Sequence, residues 1–346
     1  MLDSYSTNAT AAKIRAVHSN MFNKDNYHEM LSRKSVPEIA EYLARSKRFK
    51  EAFKGVDPNT VHRGFLEELL YRENFNTYIR LCRFQGLDKK PFYDYLIKRR
   101  ETECILSMIN SINSGGNSEA YYLNNLPGYV IKHSKINLLE LSRAESYEDI
   151  LKFLRGTPYY KVLVKIPPLE DGRADYTKCE VKLRTFYYEQ LLEEVKKDFS
   201  NKESEELSNM IVKEITMKNV INAYRMKAFF NYTAEQILAD SIRVSGMSMK
   251  KFETYCSSES AEQMMEKLEK SLFIQSDSDT AFVETVINRK RYSMLCHVIA
   301  RSVSAPVSLY AFMQLCDIEV KDIIHIIEGV RYGIDSSVIE SKLLIC

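Results

Sequence analysis

Three trios of polar residues recur at one spacing in this chain. Glu103, Ser107 and Asn110, then Lys218, Asn222 and Arg225, then Lys321, His325 and Glu328 are each separated by four and then three positions. On a helix that spacing puts a trio on a single face, so donors, acceptors and charges stand side by side. The chemistry open to such a face is recognition, a polar grip on another macromolecule. A plain solvated helix face has the same pattern, and spacing alone leaves both readings open.

Patterns for covalent or metal chemistry are missing. The sequence contains no GxxxxGK[ST] to cradle a triphosphate, no GxGxxG following a strand and no GxSxG. "HEMLS" at His28 lacks the second His of a zinc protease and reads as a surface helix. Cys296 and His297 are adjacent, but Cys316 and His325 follow at spacings that no common zinc site uses. The seven cysteines are odd in number and scattered, with no CxxC, which points to reduced intracellular thiols. Neither catalysis nor a cofactor is expected.

Charge narrows the partners. With 49 basic and 47 acidic residues the formal net charge is +2, too small a field to draw the chain to nucleic acid or anionic lipid. The basic runs "KRR" from Lys98 and "NRKRY" from Asn288 are too few to make a nucleic-acid face. No apolar run reaches the roughly 20 residues that span a bilayer. "MLDSYSTNATAAKIRAV" has an acid at Asp3 and no apolar stretch, so no secretory signal is expected and the cytoplasm is the expected compartment.

The elements that would hold the trios are helices. Gly and Pro are sparse, at 11 and 8, and good helix formers run on without a breaker, so the expected class is all-α. Three elements recur in order. "SVPEIAEYL" from Ser35, "SYEDILKFL" from Ser146 and "SAEQMMEKL" from Ser260 share a capping Ser, an acid or amide three residues on, and apolar residues at positions five and nine. Glu67, Glu180 and Glu284 each precede an aromatic (Phe75, Tyr188, Tyr292) by eight positions. "ETECILSMIN" from Glu101, "TMKNVINAYR" from Thr216 and "EVKDIIHIIE" from Glu319 align their apolar stripes: Ile105, Leu106 and Ile109; Val220, Ile221 and Tyr224; Ile323, Ile324 and Ile327.

Copies of the Ser-led element lie 111 and 114 residues apart, which predicts three helical units of about 110 residues: 1–140, 141–256 and 257–346. In the first, an insertion follows Asn110, with Gly115 and Gly116 marking a loop; in the second, "KIPPLEDGRAD" breaks helix. "YYKVLVKI" is the one run with a β look, and a packed helix explains it as well. Asn231 and Gly333 occupy matching places as left-handed helix stops, followed by caps at Thr233 and Asp335.

The repeated residues carry a resemblance. "STNATAAKIRAVHSNMFNKDNYHEMLSRKSVPEIAEYL" resembles the opening of the C subunit of bacterial and archaeal V-type ATPases, the counterpart of the eukaryotic d subunit. "MKNVINAYRMKAFFNYTAEQIL" and "EVKDIIHIIEGVRYGIDSSVIESKLL" resemble that family's segments of helix, stop and capped restart. The sequence departs from the family in the long insertion at Gly115 and in Asn231, where the family often has Gly.

The resemblance implies a funnel of three helical units around a pseudo-threefold axis, peripheral on the cytoplasmic face of the membrane. It also implies partners: the central shaft of subunits D and F, and the membrane rotor ring. The implied role is a non-catalytic socket that passes torque in ion transport. The nine trio residues are then expected to line that socket. The alternative is a generic cytoplasmic helical-repeat scaffold, against which a unit of about 110 residues is long.

Overall fold

The computed structural model describes residues 2–85, 89–115, 127–272 and 283–344, and among these residues every regular element is helical. The described chain packs as two compact units, residues 1–89 with 284–346, and residues 90–283. Gly116 and the rest of the expected insertion up to residue 126 lie outside the described residues.

The chain opens with α1 (Leu2–His18), α2 (Lys24–Leu31), α3 (Val36–Arg45) and the long α4 (Arg63–Gln85). Asn23 caps α2 in a reciprocal box with Asn26. α3 buries Ile39, Ala40 and Leu43.

The second unit begins with α5 (Tyr95–Asn113), followed by the short α6 (Gly128–His133), α7 (Leu138–Leu141), α8 (Tyr147–Phe153) and α9 (Pro158–Leu163). The β-looking run is therefore α9 and its turn. Thr157 accepts the Tyr160 N–H as cap and Pro158 takes the first helical position, where its missing N–H costs nothing. Then come α10 (Tyr176–Asp198) and α11 (Asn201–Phe230). α12 (Ala234–Ala239), α13 (Met249–Cys256) and α14 (Ala261–Leu272) complete the unit.

The chain returns to the first unit with α15 (Val283–Arg301), α16 (Ala305–Arg331) and α17 (Ser336–Lys342). Every residue of α16 from Ala305 to Cys316 is buried, as the apolar string "APVSLYAFMQLC" requires of a helix surrounded on all sides. Beyond it the helix turns amphipathic, with Lys321 and His325 exposed opposite Ile323, Ile326 and Ile327. α1 and α4 both pack against α16. Arg15 of α1 donates to the Ile299 and Ser302 carbonyls at 3.0 and 2.7 Å, satisfying the open C-terminal end of α15.

The three Ser-led helices α3, α8 and α14 share one cap. Ser35, Ser146 and Ser260 accept the N–H of Glu38, Asp149 and Gln263 at 3.4, 3.1 and 3.2 Å. The returning bond goes one residue further out than the expected box. Glu38, Asp149 and Gln263 accept from Lys34, Glu145 and Glu259 N–H at 3.1, 3.3 and 2.8 Å. In the first two copies the Ser hydroxyl also donates to that carboxylate, which draws it past the cap.

Both expected stops are left-handed, Asn231 at φ 52° and Gly333 at φ 64°. Thr233 and Gln236 form the expected box that opens α12. α17 docks on α16 through a notch: a Cβ built on Gly329 would lie 2.3 Å from Ile339 Cδ1 and 2.5 Å from its Cγ1. Gly329→Val is therefore expected to lift α17 and cost about 1–3 kcal/mol, read as faster amide exchange in residues 336–344. Unchanged exchange there would show that the notch is slack.

Candidate functional site

The three helices that carry the trios each pack against two short helices that follow one another in the chain. α5 lies on α7 and α8, α11 lies on α13 and α14, and α16 lies on α2 and α3. In every case the pair is a short helix followed by a Ser-led helix, and in two of the three the first helix is capped by an Asn side chain, Asn23 or Asn137. α5 and α16 also pack against α10 and α4, the helices that carry the acid-to-aromatic pairs Glu180–Tyr188 and Glu67–Phe75.

Polar side chains buried along the long helices fix this packing. Glu101, 2 % exposed on α5, accepts the Ser134 hydroxyl at 2.8 Å, the Lys135 N–H at 2.6 Å and the Tyr159 hydroxyl at 2.7 Å. Glu319, fully buried on α16, accepts the Phe22 N–H at 2.9 Å and Arg48 Nε at 2.9 Å. Both carboxylates hold backbone just ahead of a capped short helix, α7 for Glu101 and α2 for Glu319.

A second position, three residues on, holds the chain returning from the short restart helix. Asn219 accepts the Ile242 N–H at 3.1 Å and donates to the Ile242 carbonyl at 2.7 Å. Asp322 accepts the Leu344 N–H at 2.9 Å. Ile242 and Leu344 each stand nine residues beyond their helix cap, Thr233 and Asp335.

With the helices fixed in this way, none of the nine trio residues is buried, and the apolar stripes face inward, Tyr224 being half-buried. In the second unit Ser107, Asn110, Asn222 and Arg225 are exposed, while Glu103 and Lys218 are half-buried. In the first unit Lys321 and His325 are exposed and Glu328 is half-buried. α10 packs against both α5 and α11, the helices that carry the first two trios.

Glu103, Lys218 and Glu328 are engaged within the chain. Glu103 meets Arg99 at 3.1 Å and Arg100 at 2.7 Å. Its burial opposes ionisation, but Arg100 and Arg99 outweigh it and hold the carboxyl at about 2. Lys218 bonds Glu214 at 2.8 Å and the Tyr188 hydroxyl at 2.7 Å, with its ammonium over the Tyr188 ring. Glu328 pairs with Arg63 of α4 at 2.7 Å. Partial desolvation lowers the His325 pKa, and Lys321 and Lys342 lower it further, against Glu328 and Glu284.

Sequence reasoning singled out the exposed trios and passed over the buried carboxylates. The signal was present: Glu101 and Glu319 fall in one column of the aligned long helices, ahead of the apolar stripe. Among the described residues no three His, Cys, Asp or Glu side chains gather as a metal site. His28 of "HEMLS" sits at the surface and pairs with Glu340 of α17 at 2.9 Å. No described helix is long and apolar enough to cross a membrane.

Comparison with known proteins agrees with these features. The family described as ATP synthase (C/AC39) subunit matches residues 10–342. The A-type ATP synthase C subunit of Methanosphaera stadtmanae is 24% identical over 96% of this chain and 86% of its own. That of Methanococcoides burtonii is 25% identical over 96% and 93%. The corresponding protein of Methanosarcina mazei aligns over 62% of this chain and 57% of its own, at 23% identity. The chain thus belongs to the ATP synthase (C/AC39) subunit family, as a non-catalytic subunit of a rotary ATPase.

Proposed function

We propose that this chain is the central-stalk socket of an A/V-type rotary ATPase, seated peripherally on the cytoplasmic side and joining the shaft of subunits D and F to the membrane rotor ring. Its three helical units, divided near residues 140 and 256, stand around a pseudo-threefold axis as a funnel. The reading rests on the repeated packing: three long helices each lie on a short helix and the Ser-led helix that follows it, and each carries a polar trio away from its apolar stripe. Family membership favours a complex-bound role over the generic scaffold.

The trio faces suit a joint that is assembled and released. Exposed polar contacts set orientation and partner choice at modest individual strength. Arg225 and Lys321 are exposed, and Lys218 is half-buried against Glu214. Changing Lys218, Arg225 and Lys321 together to Glu is expected to weaken binding of the purified D–F pair at least about tenfold in calorimetric titration, with Arg225 and Lys321 dominating. The far-UV spectrum should not change. Unaltered affinity would reject these faces as the grip.

A further inference from the structure

The junctions made by the long helices differ in how they are closed. α5 holds residues 134 and 135 and packs on α7 and α8, which follow it in the chain; α11 packs on α13 and α14 in the same way. Peptide bonds tether those two junctions. α16 instead holds the front of the chain, 297 positions away at Phe22 and 271 at Arg48. Non-covalent contacts alone close that junction.

It also carries the heaviest polar bolt. Glu319 has no exposure and Arg48 is 7 % exposed. Arg48 also donates to Asn74 Oδ1, and Asn74 Nδ2 donates to the Cys316 carbonyl at 3.0 Å, so the bolt joins α16 to α4 and to the segment after α3. At the tethered α5 junction Glu101 accepts from two hydroxyls and a backbone N–H, all neutral donors. In α11 the corresponding position is Thr216, and Lys227 Nζ holds the Ser258 carbonyl at 2.6 Å. A buried ion pair adds little over an apolar pair of the same shape, yet removing one partner is costly because it strands a buried charge.

We infer that Glu319 and Arg48 form the closing bolt of a seam between the two ends of the chain, a seam that opens as one step, ahead of the tethered junctions. The parting of α2 and α3 from α16 breaks no peptide link, and the paired charges leave no half-open state of low energy. That opening at this seam admits the shaft rests on the proposed socket; the seam itself does not.

Hydrogen exchange read by mass spectrometry on the full chain tests it, using Arg48→Met, Glu319→Leu and the double variant. Each single variant is expected to speed exchange in residues 20–31 and 36–45 about 100-fold, while residues 134–153 and 249–272 stay within about threefold. The double variant, with an apolar pair in place of the charges, should return residues 36–45 to within about tenfold of the parent rate. Equal acceleration in all these segments, or no change in residues 20–45, would overturn the bolt. Added D–F pair should slow exchange across the seam. If the seam behaves as described but a bound D–F pair leaves it unaffected, the bolt stands and the admission of the shaft at this seam falls; if the D–F pair does not bind at all, the socket reading falls.

Discussion

Glu101→Ala is expected to cost about 3 kcal/mol in urea unfolding of the full chain, because it removes one acceptor from three donors at once. The Tyr159 hydroxyl is the most consequential, since Tyr159 is only 6 % exposed and no water readily replaces the carboxylate. Burial and the Glu101 charge both push the Tyr159 phenol upward, so it remains a donor at every ordinary pH. Ser134 and Lys135 N–H are partly solvated and lose less. Glu101→Gln keeps an acceptor and is expected to cost about 1 kcal/mol, and Tyr159→Phe about the same. In a double-mutant cycle between Glu101→Ala and Tyr159→Phe the coupling should reach about 1 kcal/mol. If Ala and Gln prove equivalent, the carboxylate is not the acceptor that positions the segment ahead of α7.

Asn219→Asp is the second large effect, expected at about 3 kcal/mol at pH 7. Asn219 is 2 % exposed and pairs with both backbone groups of Ile242, as donor and as acceptor. A carboxylate keeps the acceptor and turns its second oxygen toward the Ile242 carbonyl, placing a buried charge against a dipole of the same sign. The sign of the pH dependence follows from linkage. The introduced carboxyl holds its proton in the folded state to higher pH than in the unfolded chain, so the penalty is full well above its folded pKa and fades as pH falls toward the ordinary carboxylate value. The gap between variant and parent should therefore narrow between pH 7 and pH 4. A gap that stays constant over that range would show that the side chain has swung out to solvent.

Local features were plain in the sequence and distant ones were obscure. Caps at Ser35, Ser146 and Ser260, the stops at Asn231 and Gly333, and the box at Thr233 depend on bonds within a few residues, so residue type and spacing suffice to read them. The run at Tyr159 could have been read as helix from Thr157 and Pro158, which mark a helix start more firmly than its β-branched residues mark a strand. The partners of Glu319 could not be read, because Phe22 and Arg48 are separated from it by most of the chain.

The same distance explains why the compact units are cut near residues 89 and 283, while the sequence repeat suggests divisions near 140 and 256. Packing units follow what each long helix lies against: α5 lies against α10, and α16 against α1 and α4. Of the candidate site, the outward placement of the trios was legible from the stripes opposite them. The engagement of Lys218 with Glu214 and Tyr188, and of Glu328 with Arg63, depends on neighbours that spacing does not fix alone.

Whether the chain is a socket between shaft and ring is decided by affinity purification of the tagged full chain from detergent-solubilised membranes, with the co-eluting subunits identified and quantified. A socket is recovered with the D and F shaft subunits and the rotor-ring subunit in fixed proportion. Recovery of the chain alone, or without both shaft and ring, would contradict that role.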